Sequence, residues 1–313
     1  MARKLYILSG VLSVLILVNV FFIFSFQNTG EGTHNSSQAG ASLNNTQAYI
    51  FPISEPSYLP VLNTAIERPI LSAKSAVVYD TRSARFLYSK NHEDRLPIAS
   101  LTKLLSAVVF LENLDLGDIV RVSKESVRVD EEKQTLYPDE NIRVRDLLKM
   151  MLIESSNDAA YVLMHHASGR GLDLVDLMNK KAVELGMNNS IFHDPAGLND
   201  DALSTSGDLV KLVRYALGLD ELWSILGEKT TNVYSIDGRI EHNLNSTNQL
   251  LGVIPDVVGG KTGYTDGALG CMLLVVDVPG KNDKLISIVL GSTERFTDTE
   301  NLINWTKRAY SWD

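Results

Sequence analysis

The chain has 313 residues, 44% of them hydrophobic, enough to bury one substantial core or one core with a helical subdomain. Lys+Arg 29 against Asp+Glu 38 gives a net charge of −9, which argues against a sequence-independent grip on nucleic acid. The one cysteine, Cys271, excludes an intramolecular disulfide, and no Cys/His spacing matches a zinc site.

The first element is apolar. After a short tail (residues 1–4, with Arg3 and Lys4), residues 5–26 are nearly all apolar and long enough to cross a bilayer. No positive charge follows for many residues. The positive-inside rule then predicts a single-pass cell-membrane anchor, with residues 1–4 cytoplasmic and the rest extracytoplasmic. The alternative is a cleaved signal ending near Ala39-Gly40-Ala41, but these small residues lie far past the apolar run. Residues 27–70 read as an extracytoplasmic linker. Its first half is rich in Asn, Ser, Gly and Thr, and residues 49–70 carry four prolines that favour an extended path along a domain surface.

A folded domain is predicted over 71–313. Residues 75–79 and 85–88 flank a polar turn and read as a hairpin. Helical spacing begins at Ser100, with Leu101, Leu104, Leu105 and Val108 apolar. A second stripe, Val144, Leu147, Leu148, Met151 and Leu152, ends at Glu154-Ser155-Ser156-Asn157. Further helices are predicted over 158–167, 172–185 and 208–217. His165 and His166 are adjacent on one of them and point in different directions, which speaks against a metal pair. Residues 268–278 and 284–290 form a second hairpin, and 297–312 a closing helix. Strands at both ends with helices between predict an α+β fold: one antiparallel sheet flanked by helices, with an inserted helical subdomain.

Three short patterns carry chemistry. Ser100 is expected at a helix start, with Lys103 one turn later on the same face, bringing an amine within reach of a hydroxyl. Ser155-Ser156-Asn157 falls in a loop between helices, where short polar side chains can face a cleft. Lys261-Thr262-Gly263 follows Gly259-Gly260 where an edge strand would begin, and the glycines allow close backbone approach by a ligand. Each alone is an ordinary pattern: a cap with a solvated lysine, a second cap, a glycine-rich turn.

Together and in this order they form the signature set of penicillin-binding proteins and serine β-lactamases. Leu96-Pro97-Ile98-Ala99-Ser100-Leu101-Thr102-Lys103 resembles the approach to the nucleophile helix in low-molecular-mass D-alanyl-D-alanine carboxypeptidases, peptidase family S11. So do residues 147–160, Glu184-Leu185-Gly186-Met187, Pro195-Ala196-Gly197-Leu198, Thr247-Asn248-Gln249-Leu250-Leu251, and Gly260-Lys261-Thr262-Gly263-Tyr264-Thr265. The resemblance runs from about Ser75 to Gly291. Two departures stand out: Ser156 occupies a place where this family more often has glycine, and many relatives add a β-rich domain and an amphipathic C-terminal helix. Here the N-terminal anchor is expected to supply membrane attachment.

The resemblance implies a β-lactamase/transpeptidase-like fold. It also implies a serine peptidase acting on peptidoglycan stem peptides ending in D-Ala-D-Ala, inhibited covalently by β-lactams, with no metal or organic cofactor. In that scheme Ser100 attacks the carbonyl, Lys103 is the base, and Ser155 relays a proton to the leaving amine. Asn157 holds the substrate amide or orients Lys103. Lys261 and Thr262 suit the terminal carboxylate, Gly263 and Tyr264 count with them as substrate-binding, and the N–H groups of Ser100 and Tyr264 form the oxyanion hole. Burial and the second cation, Lys261, are expected to keep Lys103 neutral. The same chemistry also fits a D,D-endopeptidase cutting cross-links. A non-catalytic envelope protein that binds muropeptides or β-lactams is a different class, against which the intact Ser100, Lys103, Ser155, Asn157 and Lys261 argue. No Glu-x-x-Leu-Asn stretch lies between Asn157 and Lys261. The nearest, Glu184-Leu185-Gly186-Met187-Asn188, reads as a helix end, so no dedicated water-activating carboxylate is expected.

Overall fold

Strand patterning of period two builds the centre. β1 (Ser75–Asp80), β2 (Arg85–Lys90), β5 (Val257–Thr265), β6 (Leu269–Asp277) and β7 (Lys284–Ser292) form one antiparallel sheet in the order β5-β6-β7-β1-β2. β3 (Thr230–Tyr234) and β4 (Glu241–Asn245) pair separately as a hairpin. The computed structural model describes residues 59–127, 134–278, 281 and 283–312. The predicted tail, membrane span and most of the linker lie outside the described residues, among which no helix is long and apolar enough to cross a membrane.

All six residues of β1 are buried. Val77 and Tyr79 join a cluster containing Leu104, Leu148 and Leu212, whereas Ala76 and Val78 join Leu302, Ile303 and Trp305. The sheet is therefore covered on both faces, which is why its strands read as continuous apolar runs. The helices are α1 (Thr102–Asn113), α2 (Val144–Ile153), α3 (Asn157–Ser168), α4 (Leu174–Glu184), α5 (Ser206–Ala216), α6 (Asp220–Leu226) and α7 (Arg295–Ala309). α5 packs on one face and α7 on the other. In α1 every residue from Thr102 to Phe110 is buried, so it runs through the interior. The observed architecture is the α+β arrangement expected from the sequence.

Three sequence expectations change. α1 starts at Thr102 rather than at Ser100, which sits in the 3₁₀ turn, Ala99–Leu101, that leads into it. Lys261-Thr262-Gly263 lies in the second half of β5 rather than at its start, paired with Leu273, Met272 and Cys271. The packed unit also extends upstream of Leu71. Val61 and Leu62 pair with Ser311 and Tyr310, Asn63 N donates to Ala309 O at 2.7 Å, and Ile66 packs against the α7 cluster. Other expectations match: α4 stops before Gly186, at φ +71°, and Cys271 is buried among apolar neighbours, its thiol pushed up to about 11 by burial.

Candidate active site

Two strained turns set the serines. Ala99 and Ser155 hold φ of +46° and +67°, conformations that residues with a Cβ rarely adopt and that persist only where the surroundings fix them. The first carries the chain into the 3₁₀ turn of Ser100, and the second separates α2 from α3. Ser156 caps α3 by accepting from Ala159 N at 3.1 Å, and its hydroxyl lies 2.5 Å from Thr135 Oγ1. The serine found where relatives more often have glycine therefore ties residue 135 to the head of α3.

Lys103 is fully buried in α1. Its Nζ lies 2.9 Å from Ser100 Oγ, 2.7 Å from Asn157 Oδ1 and 2.9 Å from Ala196 O. The amide and carbonyl oxygens can only accept. Nζ donates in all three contacts, and loss of one of its protons frees a lone pair 2.9 Å from the Ser100 hydroxyl. Ala196 is held in turn by Asp194, whose Oδ1 accepts from Ala196 N at 2.7 Å and Gly197 N at 2.5 Å. Gly197 has φ +76°, and a Cβ there would lie 2.0 Å from Ala99 O, so only glycine lets this loop reach Lys103.

The second serine repeats the pairing from the sheet edge. Lys261, also buried, places Nζ 2.8 Å from Ser155 Oγ and 3.0 Å from Thr262 O. Its ammonium is held well below the usual lysine range, by burial first and then by Lys103 and Arg295. Thr262 Oγ1 lies 2.6 Å from Thr247 Oγ1, and Thr247 N donates to Ile153 O at 3.0 Å, joining β5 to the end of α2. A Cβ on Gly263 would lie 3.0 Å from Ser100 N, so glycine lets β5 approach the nucleophile turn.

A cleft of about 270 Å³ runs between these parts, lined by Ser100, Ser155, Asn157, Thr262, Gly263 and Tyr264. All eight candidate residues thus meet at one place, with Lys103 and Lys261 behind the two serines. The sequence reading missed two charged groups on the same wall, Arg295 and Glu154. Arg295 opens α7 with its guanidinium 5.9 Å from the Tyr264 ring and 4.8 Å from Phe296, and its only sequence signal is a position just after β7. Glu154 ends α2 next to Ser155. Burial pushes its carboxyl up to about 7, a smaller pull from His242 opposes this, and Asp158 adds to it. Glu184, by contrast, lies at the end of α4 and pairs with Lys181 at 3.0 Å. Among the described residues no group of three or more His, Cys, Asp or Glu could hold a metal ion.

Known proteins resemble this chain in sequence and fold. The chain is 32% identical over 227 residues to the D-alanyl-D-alanine carboxypeptidase DacF of Bacillus subtilis, a match covering 71% of this chain and 58% of DacF. It is 35% identical over 195 residues to a D-alanyl-D-alanine endopeptidase of Haemophilus influenzae, covering 61% and 66%. The ampicillin-bound penicillin-binding protein D2 of Listeria monocytogenes superposes with a TM-score of 0.66 at 33% identity, covering 77% of this chain and 99% of that one. The match to DacF thus spans little more than half of that protein's length. The family model described as D-alanyl-D-alanine carboxypeptidase, peptidase family S11, matches residues 63–294, and the chain belongs to that family.

Proposed function

We propose that this protein is a serine D,D-carboxypeptidase that removes the terminal D-alanine of peptidoglycan stem peptides through a Ser100 acyl-enzyme. The observation that carries this reading is the buried Lys103, whose Nζ lies 2.9 Å from Ser100 Oγ and is held there by Asn157 Oδ1 and Ala196 O. Ser100 Oγ gives its proton to Lys103 as it bonds to the carbonyl carbon of the penultimate residue. Ser155 then passes a proton to the leaving nitrogen, and the C–N bond breaks. The terminal carboxylate meets Lys261, Thr262 and Arg295; its charge favours the ammonium form of Lys261, which takes up a proton as substrate binds. The free edge of β5 suits an extended peptide, and the N–H groups of Ser100 and Tyr264 face the developing oxyanion. The apolar stretch over residues 5–26 supports a catalytic domain held outside the cytoplasmic membrane, its N-terminus inside.

Cross-link cleavage uses the same chemistry with a longer leaving group, and the similarity to a D-alanyl-D-alanine endopeptidase favours keeping it as a second reading. One experiment tests both. The purified protein is incubated with muropeptides, including cross-linked dimers, and the products are weighed. Loss of one alanine from pentapeptide ends supports the carboxypeptidase, and conversion of dimers to monomers the endopeptidase. If neither product forms while penicillin still labels Ser100, the chain is a binding protein.

A further inference from the structure

Behind Lys103 lies a buried carboxylate. Asp194 accepts from four successive backbone N–H groups. Oδ1 takes Ala196 N at 2.7 Å, Gly197 N at 2.5 Å and Leu198 N at 3.3 Å, and Oδ2 takes Asn199 N at 2.9 Å. The Gly197 N–H and the Ala196 C=O belong to one peptide group. Its nitrogen donates to Asp194, and its oxygen accepts from Lys103 Nζ at 2.9 Å. The preceding peptide group repeats the pattern: Ala196 N donates to the same Oδ1, and Pro195 O accepts from Ser106 Oγ at 2.8 Å. Two consecutive peptide groups therefore stand between one carboxylate and two buried side chains of α1, Lys103 and Ser106. Ser100 Oγ lies 2.9 Å beyond Lys103 Nζ. The result is an unbroken chain from a negative charge to the nucleophile: carboxylate, peptide, amine, hydroxyl.

We infer that Asp194 is a positioning residue for Lys103, acting through the Ala196–Gly197 peptide group as a third member behind the Ser100–Lys103 pair. This rests on the reading above that Lys103 is the base for Ser100. Nucleophilic sites commonly orient the base with a third group, and here a peptide bond carries that orientation. No proton passes along the peptide. A carboxylate at its N–H end leaves more negative charge on its oxygen, so Ala196 O becomes a stronger acceptor. One amine proton is then held toward Ala196 O and another toward Asn157 Oδ1, and the lone pair that forms when Lys103 loses its third proton is left for Ser100. The negative charge also sets basicity. Burial and the Lys261 ammonium of β5 both oppose charge on Lys103, and alone they would leave an amine too weak to take a hydroxyl proton. Asp194 acts against them from the other side. Tyr161 of α3 also faces this carboxylate; burial first and then Asp194 push its phenol up to about 12, so it stays neutral beside the chain.

The test uses the purified full-length protein and follows acylation of Ser100 by a fluorescent penicillin from about pH 5 to 10, in the wild type, Asp194→Asn and Asp201→Asn. Asp201 is exposed in the same loop, so its variant removes the same charge away from the peptide group. Asp194→Asn keeps an oxygen for the Ala196 and Gly197 N–H groups but loses the charge. Its plateau rate should fall about 10- to 100-fold, the range seen when an outer partner of a metal-ligating histidine is removed. Its half-maximal rate should move down by on the order of one pH unit, because the ammonium form of Lys103 loses support. Asp201→Asn should match the wild type in both respects. A lower plateau with the half-maximum unmoved overturns the proposal and leaves Asp194 a loop-folding residue. An equal shift in both variants overturns it as well, since the effect is then one of net charge. Misfolding lowers the fraction of protein that labels and not the pH of half-maximal rate, so the two are read separately. The wild type supplies an independent check. With nitrogen-15 glycine incorporated, the Gly197 amide proton should lie well downfield of ordinary amides, as a short charge-assisted bond requires. An ordinary shift overturns the proposal even where no variant folds. If the wild type never acylates at Ser100, the parent reading falls and this one with it; wild-type acylation with an unaltered Asp194→Asn profile overturns this one alone.

Discussion

At the scale of single residues, the site consists of two serine–lysine pairs with different surroundings. Lys103 must lose a proton to act as base, and so must any residue that replaces it. Lys103→Arg keeps the charge but a guanidinium stays protonated, and labelling of Ser100 by a fluorescent penicillin should fall by about 10³-fold or more. Ser100→Ala should abolish labelling, and Ser155→Ala should slow it greatly while leaving Ser100 as the reactive group. Labelling of the Ser100→Ala protein would show that another residue reacts. Lys261 makes a second case. Its proton affinity is lowered in the folded state, so the unfolded chain binds more protons and stability rises with pH toward the ordinary lysine pKa of about 10.4. Lys261→Met removes that burden. It should raise the thermal midpoint at pH 7 while eliminating peptide turnover, as expected where function needs a destabilising buried group. A lower midpoint would mean that the bonds to Ser155 and Thr262 outweigh desolvation.

Elements meet at this site through close backbone approaches rather than through large side chains. The loop carrying Pro195-Ala196-Gly197 docks on Ala99 and delivers Ala196 O to Lys103. Gly197→Ala puts a Cβ 2.0 Å from Ala99 O on a backbone at φ +76°, so both sterics and conformation oppose it. The cost should be about 2 kcal/mol or more in urea unfolding, with penicillin acylation slowed because the base loses an acceptor. The same change at Gly171, at φ +78° with open space around its Cβ position, should cost only the conformational strain and leave acylation intact. A similar loss of acylation in both proteins would separate the rate effect from the docking of the loop. Gly263 has the same logic on the other side of Ser100, where the strand edge must lie close to the nucleophile.

For the whole molecule, the ends of the described chain close on one another. Val61 and Leu62 pair with the residues after α7, and Ile66 and Trp305 share a cluster, Trp305 being 1% exposed. A chain begun at Leu71 loses this strand and should melt about 2–4 °C below one begun at Leu59, the shift that about 1 kcal/mol produces at this size. Equal midpoints would show that the pairing adds nothing. At the other end, intact mass of the membrane-extracted protein should include residues 5–26, and a mass matching cleavage near Ala41 would rule out the anchor.

The order of Ser100, Lys103, Ser155, Asn157 and Lys261 was legible in the sequence because covalent chemistry restricts residue type, and helix and strand period restrict which side chains face together. The short run of β1 before a polar turn and the apolar stripe of α2 were legible because each is a local pattern. The boundary near Leu71 was misread because Val61 and Leu62 find their partners at Ser311 and Tyr310, too far along the chain for any local pattern to register. The helix start was read at Ser100, two residues early, because the apolar spacing of Leu101, Leu104 and Leu105 runs unbroken from the 3₁₀ turn into α1. Glu154 and Arg295 reach the cleft from the end of α2 and the start of α7. Their ionisation depends on burial and on charges brought in from other elements, and only packing in three dimensions decides that.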